Sequence, residues 1–268
     1  MLGLGNSLIS AASLGEDFGV NHSLQFDGSN DEVDFTSSGF QTALNASNGN
    51  FRETGSVSIW ARVNTTGANG QMWDFSISAN SRIHLQYKHN DDSFTVTYRA
   101  GGVNKIANHN PSGTQEGDGN FHHIVCTWDR ASANELKLYF DGSLQTTTTL
   151  TATISDDFDD TADSTVGQSG AGGVEFLSGT SFNGNADYNG FIDDFAVYSS
   201  VLSSSEVTTL YNSGTSDQTN VDTVGTIVAH WTFNEGTGTT VTDRINGFVG
   251  TFGSGSNAPT FSTTNAGA

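Results

Sequence analysis

Ser56-Val-Ser-Ile-Trp-Ala-Arg-Val63 is the stretch that decides the fold. Val57, Ile59, Ala61 and Val63 fall on one side of an extended chain, while Ser56, Ser58, Trp60 and Arg62 fall on the other. A period of two belongs to a pleated strand with one buried face, not to a helix. Outward from this stretch the alternation returns at Trp73/Phe75/Ile77, Ile83/Leu85/Tyr87, Phe94/Val96/Tyr98 and Leu136/Leu138/Phe140. Each run is about five to seven residues long and is bounded by Gly, Asn, Asp or Ser, as antiparallel strands are. No helical period separates them, so the sequence predicts an all-β sandwich or barrel.

One segment departs from the pattern. Leu202-Ser-Ser-Ser-Glu-Val-Thr-Thr-Leu-Tyr-Asn-Ser-Gly214 carries a capping box, Ser203 to Glu206, with Leu202 and Val207 placed as a hydrophobic staple. Val207, Leu210 and Tyr211 form an i, i+3, i+4 stripe, and Gly214 is positioned to supply a left-handed stop. This is a short helix near residues 203–212. Residues 215–225 read as a connector, 227–233 and 248–252 as further strands, and Gly236-Thr-Gly238 as a turn. The last ten or so residues are small and polar and read as loose. Phe-Asp-Gly occurs at 26–28 and 140–142 without matching flanks, so it is two turn solutions and not a repeat.

Composition narrows the function. The 268 residues carry 9 Lys+Arg against 29 Asp+Glu, a net charge of −20. Such a field disfavours nucleic acid and anionic membranes as partners, and it supplies hard oxygen ligands of the kind Ca²⁺ takes. Charged residues are 14%, below the usual value of about 25%, and Ser, Thr, Asn and Gly fill the gap as they do in turn-rich β proteins. Cys126 is alone and sits mid-strand among apolar residues, so it reads as a buried, inert thiol with no disulfide. No stretch approaches a membrane span, and the opening Met1-Leu-Gly-Leu-Gly-Asn-Ser-Leu-Ile-Ser10 lacks the basic and apolar regions of a signal peptide. A chain of extracellular type without an export signal would leave the cell some other way, and assembly into a particle freed by lysis is one such way.

In series, four blocks resemble the laminin G-like jelly rolls of the concanavalin A-like lectin/glucanase superfamily. They are Ser23-Leu-Gln-Phe-Asp-Gly-Ser-Asn-Asp-Glu-Val-Asp-Phe35; Ser56–Arg62; Phe121-His-His-Ile-Val-Cys-Thr-Trp-Asp129 with Leu136-Lys-Leu-Tyr-Phe-Asp-Gly142; and Asn189-Gly-Phe-Ile-Asp-Asp-Phe-Ala-Val-Tyr198. The family usually has Trp where Phe121 stands. The resemblance covers about residues 21–214 and implies two curved antiparallel sheets. His230-Trp-Thr-Phe-Asn-Glu-Gly-Thr-Gly238, with Asp243, resembles a block that normally opens such a domain, yet here it follows the helix. That order, and the Leu-Gly-Leu-Gly-Asn-Ser start, is similar to laminin G-like structural proteins of marine bacteriophages. The organisation expected is an arm at 1–20, a jelly-roll domain at 21–214, and a β extension at 215–268 that packs on the sandwich or on a neighbouring subunit.

The resemblance also frames the candidate chemistry. In laminin G-like folds the opening and closing strands lie side by side, which would bring the Asp27–Asp31 turn to Asp193. Asp27, Asn30, Asp31 and Asp193 are therefore the candidate Ca²⁺ ligands. The alternative reading makes Asp27 and Asn30 turn formers and Asp193 a strand-end hydrogen bonder. Asp157, Asp159 and Asp163 mimic early ligands of an EF-hand loop, but Ala162 and Gln168 replace the required Gly and Glu, so a solvated acidic loop is favoured. Glu32-Val-Asp34 has the first spacing of the glucanase acids, but Ser37 replaces the third. His122 and His123 face opposite ways along a strand, which argues against a shared zinc. No Gly-x-Ser-x-Gly elbow, P-loop or dinucleotide fingerprint occurs. Trp60, Trp73, Tyr87 and Tyr98, beside Asn-rich turns at 64–70 and 104–110, are candidates for a glycan platform or for the core.

The expectation is a non-catalytic structural or decorating protein of a virion, contacting other virion subunits or copies of itself and binding polysaccharide. A secreted or cell-surface lectin-like adhesin is the alternative, and a glycoside hydrolase stands third.

Overall fold

The structure, a computed structural model, describes residues 21–35, 38–46, 51–64, 69–78, 80–154, 174–177 and 188–267. The arm at 1–20 and the acidic 156–163 segment with Gln168 therefore lie outside the described residues. In chain order the strands are β1 Ser23–Asp27, β2 Glu32–Asp34, β3 Thr54–Val63, β4 Gly70–Ser78, β5 Ser81–Lys88, β6 Ser93–Ala100, β7 Val103–His109 and β8 His122–Asp129. They continue with β9 Glu135–Phe140, β10 Ser143–Thr149, β11 Val174–Leu177, β12 Asn189–Tyr198, β13 Ile227–Trp231, β14 Thr240–Thr242, β15 Val249–Phe252 and β16 Thr260–Ser262. Among the described residues three α-helices join them, α1 Ser38–Ala46, α2 Ser204–Tyr211 and α3 Gln218–Val221.

The strands form two antiparallel sheets. One runs β10-β9-β8-β3-β12-β1-β16, with β13 also paired to β12; the other runs β14-β15-β2-β11-β4-β5-β6-β7. The alternation read from the sequence decides which side chains meet between them. Val57, Ile59, Ala61 and Val63 of β3 join one continuous core with Ile83, Leu85 and Tyr87 of β5, Phe94, Val96 and Tyr98 of β6, and Leu136, Leu138 and Phe140 of β9. Trp73, Trp128 and Trp231 lie wholly inside it. Cys126 is buried there with a free thiol, pushed far above its usual pKa by burial.

Two sequence expectations about helices need correction. The chain has α1 and α3 as well as α2. Helix α1 is held by Phe40 and Leu44, one turn apart and both fully buried, with Phe40 edge-on to Trp231 at 5.0 Å. Helix α2 keeps its capping box between Ser203 and Glu206, and Leu202 and Val207 are both buried as a staple requires. It stops earlier than Gly214: Asn212 takes the left-handed conformation, φ 44°, and its N–H reaches Thr208 O. A second apolar cluster, including Val125, Tyr139, Tyr198, Val207, Leu210 and Val221, fixes α2 and α3 on the outer face of the first sheet.

The residues after 215 build into both sheets. Strand β13 pairs with the second half of β12, β15 with β2, and β16 with β1. The chain end is tied down, contrary to the reading of a loose tail, because β16 is paired and Ala266 N–H donates to buried Asp193 at 2.9 Å. Strand β12 changes partners midway: β1 lies beside residues 189–192 and β13 beside 195–198. The change occurs at a bulge where Asp194 has φ 46°.

Candidate functional site

The β1/β12 pair is present, but its register separates the four candidate calcium ligands. Asp27 stands opposite Asn189 and Leu24 opposite Ile192. Asp193 is thus at the far end of β1, roughly 13 Å along the strand from the turn at about 3.3 Å per residue. Asp27 Oδ1 accepts Ser29 N–H, Asp31 Oδ2 accepts Asp27 N–H at 2.7 Å, and Asn30 takes φ 64°. Those are turn-forming roles. Asp193 is buried, and its two oxygens accept Asp194 and Ala266 N–H groups. Asp27, Asn30, Asp31 and Asp193 therefore do not make one ligand set, and no group of three or more His, Cys, Asp or Glu among the described residues is arranged to hold a metal.

The four aromatic candidates are core or covered. Trp73, Tyr87 and Tyr98 belong to the inter-sheet core, and Trp60, on the outer face, is roofed by Tyr211 at 6.0 Å and 16°. His122 and His123 diverge as the alternation requires. His123 points to the outer face, where its Nε2 meets Ser58 Oγ at 2.8 Å, and burial pushes its pKa down to about 3. Glu32 and Asp34 flank inward Val33 and are half-buried; burial, then Asp34, raises the Glu32 carboxyl.

The outer face of the second sheet is polar yet shielded. Gln71, Asp74, Arg82, His84, Gln86, Thr95 and Thr97 are all buried. Gln71 Nε2 donates to Asp74 at 2.6 Å, and Arg82 lies 3.7 Å from the same oxygen. Burial, helped by Arg82, Lys88 and Arg99, pushes His84 to about 3, so it is neutral. This layer is inside the molecule and offers no open surface.

An open site lies on the other sheet. A cleft of about 510 Å³ is bounded by the β9–β10 turn, the end of α2 and Asn220 of α3. Phe140 pairs with Ser143, leaving Asp141 and Gly142 as a two-residue loop with φ 47° and 75°. Positive φ at both positions is the type I′ hairpin turn that Asp-Gly favours. Asp141 is anchored at three points. Its N–H donates to His123 O, its Oδ1 accepts His123 N–H at 2.9 Å, and its Oδ2 is 2.9 Å from His122 Nδ1. Tyr211, half-buried at the last turn of α2, forms the aromatic wall and is backed by Trp60 and His123. A Cβ on Gly142 would sit 2.8 Å from Tyr211 Cδ1, so only glycine lets the turn approach the ring this closely. Burial, then Asp141, raises the Tyr211 phenol, leaving it a neutral donor. Ser143, Asn212 and Asn220 complete a polar rim in which Asp141 is the sole charged group.

The sequence had marked Asp141-Gly142 as a turn and Tyr211 as a helix-stripe residue, but not their meeting. The signal available was the pair of motifs themselves, an Asp-Gly turn and a helix whose stripe ends on a tyrosine.

Residues 27–208 match the concanavalin A-like lectin/glucanases family Laminin_G_3. The chain belongs to this superfamily. Among solved structures, a Bacteroides ovatus protein described as carbohydrate binding is similar in fold, with 13% identity and a TM-score of 0.59. The match covers 91% of this chain and 60% of that one, so this member of the superfamily spans less than two thirds of its neighbour. A heptameric pentraxin from Limulus polyphemus aligns at 13% identity over 71% of this chain and 82% of its own, TM-score 0.47. The binding domain of botulinum neurotoxin serotype D aligns at 17% identity over 62% and 38%, TM-score 0.44. Among curated proteins none matches.

Proposed function

We propose that this protein is a non-catalytic glycan-binding module, displayed in many copies as a structural or decorating subunit of a virion. The observation that carries the binding half is the Tyr211 cleft. A sugar ring has an apolar C–H face and a hydroxyl edge. Tyr211 offers a flat apolar partner for the first, while Asp141, Asn212 and Asn220 offer acceptors and donors for the second. The cleft volume is within the usual range for small-molecule sites, about 300–1,000 Å³. One carboxylate in the lining and a chain charge of −20 favour an uncharged glycan over a sialylated or uronic one. An open site of this kind binds weakly, so useful attachment depends on repetition, which a particle surface supplies.

The virion setting is supported by the likeness of the 230–238 block and of the opening residues to phage laminin G-like proteins. A secreted adhesin would use the same cleft.

The test is a glycan array probed with the protein and with Tyr211→Ala. Retention on neutral glycans, cut at least tenfold by the substitution, is the expected result, about 1.4 kcal/mol of lost contact. Equal retention by both proteins would refute the site. Stoichiometric presence in purified particles checks the setting.

A further inference from the structure

Of the three anchors on the Asp-Gly turn that walls the cleft, one is a side chain, the His122 imidazole. His122 Nδ1 lies 2.9 Å from Asp141 Oδ2, and Nε2 lies 3.1 Å from Asp118 Oδ2. The ring stacks on Phe140, 4.7 Å between centroids at 23°, which limits its rotation. A neutral imidazole has one N–H and one bare lone pair, whereas an imidazolium donates from both nitrogens. Between two carboxylates only the imidazolium satisfies both sides. The neutral ring must turn a lone pair toward one of them.

We infer that His122 is a proton-operated positioning residue for the cleft: protonated, it bonds Asp141 and Asp118 at once and so fixes Asp141 as a sugar-hydroxyl acceptor, and deprotonated, it serves only one of the two, so that the clamp on Asp141 loosens. The inference rests on the glycan-binding reading and adds its regulation. Asp141 keeps its Oδ1 bond to His123 N–H in either state, so the carboxylate pivots on one anchor and the turn persists. The charged groups facing His122 are Asp118, from the β7–β8 loop, and Asp141, from the β9–β10 turn. His109, whose ring lies 4.9 Å from Phe140, is lowered by burial against the pull of Asp141, and His123 is neutral. Burial opposes charge on His122, but its bonds to Asp141 and Asp118 outweigh it and raise the ring above the ordinary value of 6.5. The grip is therefore complete below 6.5 and is lost as pH rises through the raised value.

The experiment is NMR of the full chain from about pH 5 to about pH 9, the span in which histidine changes charge. Ring signals of His122 report its proton; amides of Gly142, Ser143, Tyr211 and Asn212 report the cleft. A shared midpoint above 6.5, with the cleft response abolished in a folded His122→Gln, is the expected result. Cleft amides that follow a different midpoint, or that still titrate in His122→Gln, would overturn it. Neutral glucose and N-acetylglucosamine oligosaccharides serve as binding probes in parallel. Their dissociation constants are expected to rise about tenfold across the midpoint, the scale of one lost hydrogen bond to a charged group, and to stay flat in His122→Gln. If the midpoint is shared but no oligosaccharide binds at any pH, the coupling stands and the glycan reading falls.

Discussion

Gly142 has two reasons to be glycine. Its φ of 75° favours a residue without a side chain, and the Tyr211 ring occupies the space a methyl would need. Gly142→Ala is expected to lower stability by about 1–3 kcal/mol, seen as a reduced urea midpoint, and to weaken glycan retention by pushing Tyr211 aside. At this scale the sequence was half legible. Alternation correctly set the inward residues of β3, β5, β6 and β9, because facing is a property of a strand alone. It could not say what covers the other face. Trp60 looked available as a platform, and the structure puts Tyr211 over it.

Strand β12 shows the same limit for an element. Its place beside β1 was readable, but its register was not, since adjacency leaves the offset between strands open. That offset is what parts Asp193 from the Asp27 turn. The bulge had left a trace: Ile192 and Phe195, both inward, are three residues apart and break the period of two. Where the ladder opens, Asp194 meets His230 of β13. Nε2 lies 3.2 Å from Asp194 Oδ1, Nδ1 lies 3.8 Å from Asp222, and Asp243 accepts His230 N–H. Burial disfavours the imidazolium, but Asp194 and Asp222 outweigh burial, with Arg244 opposing, so His230 is raised above 6.5. Burial and the neighbouring Asp194 also raise Asp193. Both groups hold a proton more tightly folded than unfolded, whereas Asp222 is lowered by its bond to His230 and holds one less tightly, so the seam is strongest in mild acid, where His230 is charged and Asp222 is still ionised. The stabilisation from His230 is full below 6.5 and fades as pH rises through its folded value. A melting temperature that declines on the alkaline side, with a shallower decline in His230→Gln, is the expected outcome of a thermal series.

For the whole molecule, fold class was the most legible property and the fate of the last fifty residues the least. Strand patterns and turns are local, and they repeat often enough to outvote error. Whether a late strand closes its own sheet or another subunit's depends on long-range pairing, which no local pattern encodes. Here β16 returns to β1, Ser23 Oγ donates to Thr264 O, and Asn265 Nδ2 donates to Asn21 O. Residues 21 and 267 are neighbours in space.

That closeness makes the described chain almost a ring, and a ring can be opened elsewhere. A permutant that links 267 to 21 by a short Gly-Ser bridge and starts anew in the exposed β8–β9 loop should fold with an unchanged circular dichroism spectrum. Aggregation of that variant would show that the native order of synthesis matters. Either end of the described residues, used as a tether, would hold the sandwich by the same corner, so one socket would serve for both.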